Sequence, residues 1–444
     1  MDKLQKVLDI FYQICEIPHP SFNTSKMKNF ITEFCKSSGY NVQSDGANLL
    51  ASLKDSKPKA CLQAHMDMVL VPEDAQVKVE KDGNFLKAKD SSLGADNGIG
   101  LSIMLYLISQ KFPCEFLFTD DEEVGFLGAN KLDFKVESKL LLNLDSEVLG
   151  EVVTSSAGGF DATTTLKLAL QNLQSFKDMH AYTLSFQGPG GHSGIDIGTN
   201  ESAFIKLLNL LKSPELKDAY FSNLNAGNRR NAIPSLASLV LYTKTRLDLD
   251  SLKAFSLPKP PYSYALKDAK DDALKVDSIF KLKDLLDVLS PLKTGILESN
   301  KTGILSSLNL SIVKSTQSGV ELEFMGRANA KNLLDTNIAL LKKAFPSIEV
   351  SNIYPPWESA PKDAFLAKLK KESLEKLKLS FKKEGLPFKE VSIHAGLECG
   401  LIEEKLGVTA LSIGPTIYYP HSVKEKVDIQ SVQKTICVVL DFLS

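Results

Sequence analysis

The 444-residue chain predicts an α/β protein built on a mostly parallel sheet and interrupted by an inserted α+β domain. Three observations carry this prediction. Helix-period and strand-period segments alternate through the first third of the chain. The strands among them are short apolar runs that end in polar residues. After Ser155-Ser-Ala-Gly-Gly159 the pattern changes to alternating strands, and it reverts only beyond Tyr354-Pro-Pro-Trp357. Length points the same way, because single cores seldom grow beyond about 250–300 residues. The expected division is 1–157 with 358–444 as one domain and 158–357 as the insertion.

Residues 2–16 and 24–38 have helical periodicity and are separated by the turn Ile17-Pro-His19-Pro-Ser21. Strands are expected at 60–66, 115–119 and 139–144, with an apolar helix from Gly98 to about Gln110 between the first two. Such alternation favours parallel strands, with ligands held at their carboxyl ends. In the insertion, 160–168, 181–187, 236–247, 307–313 and 320–326 read as strands, and 201–213 and 330–345 as helices. A lysine-rich stretch containing Pro258-Lys-Pro-Pro-Tyr262 lies between them. Pro361 to Glu384 is an amphipathic helix whose lysines read as a solvated face. A terminal helix is expected to end near Leu443.

Hydrophobic content of 43% and charged content of 24% fit a globular protein. A net charge of −2 gives no broad electrostatic footprint for nucleic acid or anionic membrane, so neither partner is expected. No apolar run approaches the roughly 18 residues of a spanning helix. The start, Met1-Asp-Lys-Leu-Gln-Lys-Val, lacks the apolar core of a secretory signal. A cytoplasmic location is expected. The six cysteines are scattered without a Cys-x-x-Cys pair, which favours reduced core residues over disulfides.

Chemistry concentrates at strand ends. In Cys61-Leu-Gln-Ala-His65-Met-Asp67, His65 and Asp67 sit at i and i+2 and share one face of an extended strand. The glycine-rich loop Ser91-Ser-Leu-Gly94-Ala-Asp96-Asn-Gly98-Ile-Gly100 opens a helix, with Asp96 either a ligand or a helix cap. Its glycines do not spell the dinucleotide fingerprint. Phe116-Leu-Phe-Thr119 runs into Asp120, Asp121, Glu122 and Glu123, which read as ligands or as a solvated acidic turn. Leu140-Leu-Leu-Asn-Leu precedes Asp145, and His421 lies in the proline-bounded loop Gly414-Pro-Thr-Ile-Tyr-Tyr-Pro-His421. Two histidines and several carboxylates at successive strand ends suit two zinc ions sharing a bridging aspartate, roughly 3.5–4 Å apart.

With these motifs assembled, the chain resembles the aminoacyl-histidine (Xaa-His) dipeptidases, within a wider group of co-catalytic zinc peptidases and deacylases. The resemblance runs nearly end to end. Beyond the motifs above it rests on Gly190-Gly-His192-Ser-Gly, Asn228-Arg-Arg230-Asn231-Ala-Ile-Pro and His394-Ala-Gly-Leu-Glu398-Cys-Gly. It implies a zinc-peptidase catalytic domain with a lid through which the chain forms a homodimer. The activity implied is hydrolysis of Xaa-His or a broader range of dipeptides by a zinc-bridged hydroxide with a glutamate general base.

The site residues follow from the same resemblance. His65 and Asp145 would hold one zinc, Glu123 and His421 the other, and Asp96 would bridge. Manganese or cobalt could substitute. Asp67 would hydrogen-bond the His65 ring, Glu122 would be the general base, and His192 would stabilise the oxyanion. Arg230, Asn231 and Arg327 are the candidates for binding the substrate carboxylate. His394 and Glu398 would lie near substrate without being ligands. A tripeptidase, an N-acyl amino-acid deacylase and an inactive peptide-binding protein are the alternatives. Asp120, the Lys89-Asp-Ser-Ser-Leu start of the glycine loop and the lysine-rich linker depart from the family pattern.

Overall fold

Every residue of Cys61–His65 is buried, so this strand has apolar or hydrogen-bonded neighbours on both faces and takes a central place in its sheet. The computed structural model describes residues 2–171, 178–247, 262–269, 278–301 and 303–444. Two units emerge. One comprises Met1–Ser156, Trp357–Ser392 and Leu397–Ser444, and the other Ala157–Pro356 with Ile393–Gly396.

The first unit is built on a mixed sheet. Its centre runs in the order Leu49–Ser52, Glu115–Thr119, Cys61–His65, Leu140–Asn143, Thr409–Ser412, Glu151–Ser156. The four strands in the middle are mutually parallel, while Leu49–Ser52 and Glu151–Ser156 join antiparallel. The expected parallel sheet is thus the centre of a mixed one. Register places His65 opposite Thr119 and Gln63 opposite Asn143. The segments following these three strands therefore leave from the same edge.

Helix Ala95–Ser109 is apolar almost all round, with Ile99 to Ile108 buried without a break, as expected of a helix covered on every side. It packs against helices Lys3–Cys15 and Ser25–Ser37 and against strand Cys61–His65. Helix Ala364–Lys383 buries Lys370, Ser373, Leu377, Ser380 and Phe381, a spacing that follows one helical face. Lys370 is an exception to the solvated face expected of its lysines. It is 2% exposed, donates to the Thr154 carbonyl at 2.9 Å, sits 4.8 Å from the Trp357 ring centre and faces Glu403 at 3.8 Å.

The second unit is an antiparallel sheet. Its path is Ser263–Asp268, His180–Gln187, Leu236–Thr243, Tyr220–Ala226, Gly303–Thr316, Gly319–Ala328, Gly158–Lys167 and Glu349–Tyr354. Helices Ala203–Leu211, Leu282–Leu289 and Lys331–Ala344 contribute Phe204, Leu285 and Leu341 to its core. Of the lysine-rich stretch, Ser263–Asp268 is a strand, whereas Pro258 to Pro261 lie outside the described residues. All six cysteines are free, five of them buried. Among the described residues no helix is long and apolar enough to cross a membrane.

Lys370→Ala would leave Glu403 and the Thr154 carbonyl without their buried cation. It should cost about 3–5 kcal/mol. Urea unfolding followed by the fluorescence of Trp357, the sole tryptophan, would measure that loss in the first unit.

Candidate active site

Backbone hydrogen bonding sets the first pair of residues. His65 ends its strand 1% exposed, and its Nδ1 lies 2.9 Å from the Asp67 carbonyl oxygen and 3.4 Å from Asp67 Oδ1. With the carbonyl accepting from Nδ1–H, Nε2 is left as the ring's free electron pair. The Asp67 carboxylate has other partners. It accepts from the backbone N–H of Glu122 at 2.9 Å and of Glu123 at 3.2 Å, and from the Ser21 hydroxyl at 2.8 Å. Asp67 therefore fixes the His65 ring chiefly through its main chain and anchors the acidic loop through its side chain. Burial would raise its pKa, but the adjacent His65 imidazole first, and then the Glu122 amide and the Ser21 hydroxyl, hold it below the ordinary aspartate value.

His65 Nε2 faces two carboxylates, Asp96 Oδ1 at 3.0 Å and Asp145 Oδ1 at 3.3 Å. The other oxygen of Asp96 lies 3.0 Å from His421 Nε2, which is itself 2.7 Å from Glu123 Oε1. Asp96 thus stands between two donor groups, His65 with Asp145 and His421 with Glu123, and offers one oxygen to each. In each of the sets His65–Asp96–Asp145, His65–Glu122–Glu123 and Asp96–Glu123–His421, all donor atoms fall within 4.8 Å of one another. Asp96 does not cap its helix. That position is Gly94, at φ 73°, and Asp96 itself has non-helical angles. Asn97 donates to Asp145 and fixes that carboxylate.

The electrostatics call for cations. Burial, reinforced by neighbouring carboxylates, raises Glu122, Glu123 and Asp145 above their ordinary values and pushes Glu147 up to about 8. Burial works against protonation of His421, yet Asp96 and Glu123 hold its pKa at about 12. The carboxylates around His65 likewise outweigh its burial and raise it. Glu123 Oε1 is buried and makes no well-directed hydrogen bond despite its short approach to His421. Two lone-pair donors close together but poorly aligned for hydrogen bonding are what a shared cation requires. Imidazole nitrogen and carboxylate oxygen form a donor set that fits zinc and also suits manganese or cobalt.

Beneath His65 lies a polar network that the sequence did not reveal. Glu398, fully buried, accepts from Gln63 Nε2 at 2.7 Å and from the Thr119 hydroxyl at 2.6 Å. Gln63 in turn accepts from Asn143 Nδ2 at 2.5 Å. Burial pushes Glu398 up to about 8. One signal was available, since Gln63, Thr119 and Asn143 interrupt otherwise apolar central strands.

The remaining predicted residues belong to the second unit. His192 Nδ1 accepts from the backbone N–H of Gly194 and Ile195, which leaves the ring proton on Nε2. Arg327, 3% exposed, brings Nη2 to 3.4 Å from that nitrogen and donates from Nη1 to the Tyr354 hydroxyl at 3.1 Å. Its Nε is buried without a hydrogen-bond partner. Arg230, by contrast, is engaged by Glu323 at 2.5 Å and Asp161 at 3.5 Å. Asn231 is exposed and accepts from Ser193 N–H through its carbonyl. His394 is held between the Ser307 hydroxyl at 2.8 Å and Asn329 Oδ1 at 3.0 Å. Ser307 is 1% exposed, so this trio is a buried network rather than a nucleophile with access to substrate.

Comparison with known proteins identifies the family. The chain is 31% identical to a cytosol non-specific dipeptidase of Escherichia coli, over 96% of this chain and 95% of that one. The crystal structure of an aminoacylhistidine dipeptidase from Vibrio alginolyticus matches with a TM-score of 0.75 and 26% identity, covering 99% of this chain and 96% of the other. An M20 family metallo-carboxypeptidase from Sulfolobus solfataricus shares the fold, with a TM-score of 0.53 and 15% identity over 100% and 99% of the two chains. No family model matches. The end-to-end likeness to the first two proteins and the paired donor sets around Asp96 lead to one assignment: this chain belongs to the M20 dipeptidase family of metallopeptidases.

Proposed function

We propose that the chain is a cytoplasmic dipeptidase that uses two zinc ions, with manganese or cobalt as substitutes, to hydrolyse unblocked dipeptides, Xaa-His among a broader range. The carrying observation is the bifacial placement of Asp96, whose two oxygens each lie 3.0 Å from a different histidine. His65 and Asp145 would hold one ion, Glu123 and His421 the other, and Asp96 would serve both. Bound there, divalent ions would polarise the scissile carbonyl and make water acidic enough to attack near neutral pH.

The chain's own groups supply the rest. Glu122, next to a ligand and with its backbone tied to Asp67, is the proposed general base, taking the proton from water and delivering it to the leaving amine. The Nε2–H of His192 is a donor suited to the developing oxyanion. Arg327, next to His192 and with no carboxylate partner among the described residues, is the preferred anchor for the substrate carboxylate. The pairing of Arg230 with Glu323 and Asp161 counts against that role for it. Asn231 is retained as a polar contact to substrate, and the homodimer is proposed to form through the lid.

Glu122→Gln should retain two ions per chain and lose about 10²–10⁴-fold in kcat; metal-bound protein with normal turnover would refute the base assignment. Because Glu122 must be ionised to act and burial raises its pKa, kcat/KM should fall as the pH drops through that raised value. The acid limb measured for the wild type should thus lie above the ordinary glutamate range. Asp67→Ala frees the acidic loop and should cost about 10–100-fold in metal affinity or activity, read by metal titration and steady-state kinetics. A panel of Xaa-His, other dipeptides, tripeptides and N-acyl amino acids should show the highest kcat/KM on dipeptides. Turnover confined to tripeptides or acylated substrates would overturn the substrate class.

A further inference from the structure

Glu425 lies four residues beyond His421 and 2% exposed, in no motif that carried the sequence reading. Its carboxylate collects four backbone N–H donors from a segment some 330 residues away. Oε2 accepts from Leu93 at 2.8 Å and Gly94 at 3.0 Å, and Oε1 accepts from Ala95 at 2.8 Å and Asp96 at 3.4 Å. These amides lie in the glycine loop at and before the kink of Ala95–Ser109, where Asp96 and Asn97 have non-helical angles, so they precede the regular helical hydrogen bonding that would otherwise engage backbone donors. The local sequence offers no substitute, because the cap position is Gly94 and makes no side-chain cap bond. The backbone N–H of Glu425 is itself tied to the Ser422 carbonyl at 3.0 Å, within the loop that carries His421.

We infer that Glu425 is a positioning residue for the metal centre, clamping the Asp96 loop to the His421 loop so that the bridging carboxylate and the imidazole stay in register. The inference rests on the two-metal reading and adds to it a residue that touches neither substrate nor ion. Two properties suit Glu425 to the task. All four neighbours are donors, so only an acceptor on both oxygens satisfies them, and an ionised carboxylate is one. The clamp also acts on the Asp96 amide directly, whose nitrogen is bonded to the Cα that carries that side chain. A glutamine in its place has the same size, but its amide nitrogen would face two N–H groups with a donor.

Metal binding by the full-length protein provides the test. Metal-free wild type, Glu425→Gln, Glu425→Asp and a control, Val432→Ala, would be titrated with cobalt and followed by visible absorption and calorimetry. Val432 is fully buried in helix Ile429–Leu443, and its truncation should lower Tm while leaving cobalt affinity at the wild-type level. Glu425→Gln should weaken cobalt binding about 10–100-fold and lower kcat with KM close to wild type. Glu425→Asp keeps the charge but is one methylene too short to reach all four amides. It should fall between wild type and Glu425→Gln, and it carries the test if the glutamine variant does not fold.

Wild-type affinity in Glu425→Gln, or in Glu425→Asp where that variant alone is available, would overturn the positioning role. So would an affinity loss matched by Val432→Ala at equal loss of Tm. Wild-type protein that binds no cobalt or zinc would instead overturn the two-metal reading itself.

Discussion

Mutual repulsion among buried carboxylates is the constraint on which the rest of this molecule depends. Asp96, Glu122, Glu123 and Asp145 share one side of the sheet with little solvent to screen them. Charges so placed drive one another to take up protons or to collect cations. The structure meets that demand with two imidazoles aimed at Asp96 from opposite sides and with main-chain amides directed at Asp67. The architecture follows from the same demand. Three parallel strands in register are what bring donors from residues 65, 123 and 145 to one edge.

Much of this was legible in the sequence because the relevant signals are local. A buried apolar strand followed at once by an acid or a histidine marks a strand end, and Cys61–His65, Glu115–Thr119 and Leu140–Asn143 all announce themselves so. Leu49–Ser52, Glu151–Ser156 and Tyr220–Ala226 are buried strands that escaped, and the other segments that escaped include edge elements with little apolar alternation. Asn41–Ser44, Val79–Asp82 and Gly295–Asn300 are largely exposed and carry no periodic signature. The network around Glu398 escaped for another reason. The partners Gln63 and Thr119 lie far from Glu398 in the chain, and only the folded sheet brings them together. Lys370 looked like one more solvated lysine, since helical spacing alone cannot tell which charged side chain is turned inward.

Arginine roles were the least legible. A guanidinium in sequence is equally a substrate anchor or half of an ion pair, and its partners decide which. Arg230 is taken up by Glu323 and Asp161, whereas Arg327 lies beside His192 with a buried nitrogen unpartnered. The two could not be ranked by motif, yet their surroundings separate them. Asp67 teaches a similar point. The expected link to His65 exists, but its carbonyl makes the closer contact and its carboxylate serves the next loop.

The wide separation of the donors along the chain bears on biosynthesis. His65, Asp96, Glu123 and Asp145 all precede the second unit in sequence, while His421 follows it. During translation the acids therefore leave the ribosome well before the imidazole that completes the second donor set. Until that last stretch arrives, the growing polypeptide carries a cluster of acids that can be eased only by protons, by water or by a single ion at His65. Contacts of such long sequence separation form late. On the proposed two-ion reading, loading of the second ion would then report that the segment carrying His421 had been made and had joined the sheet built by the earlier strands.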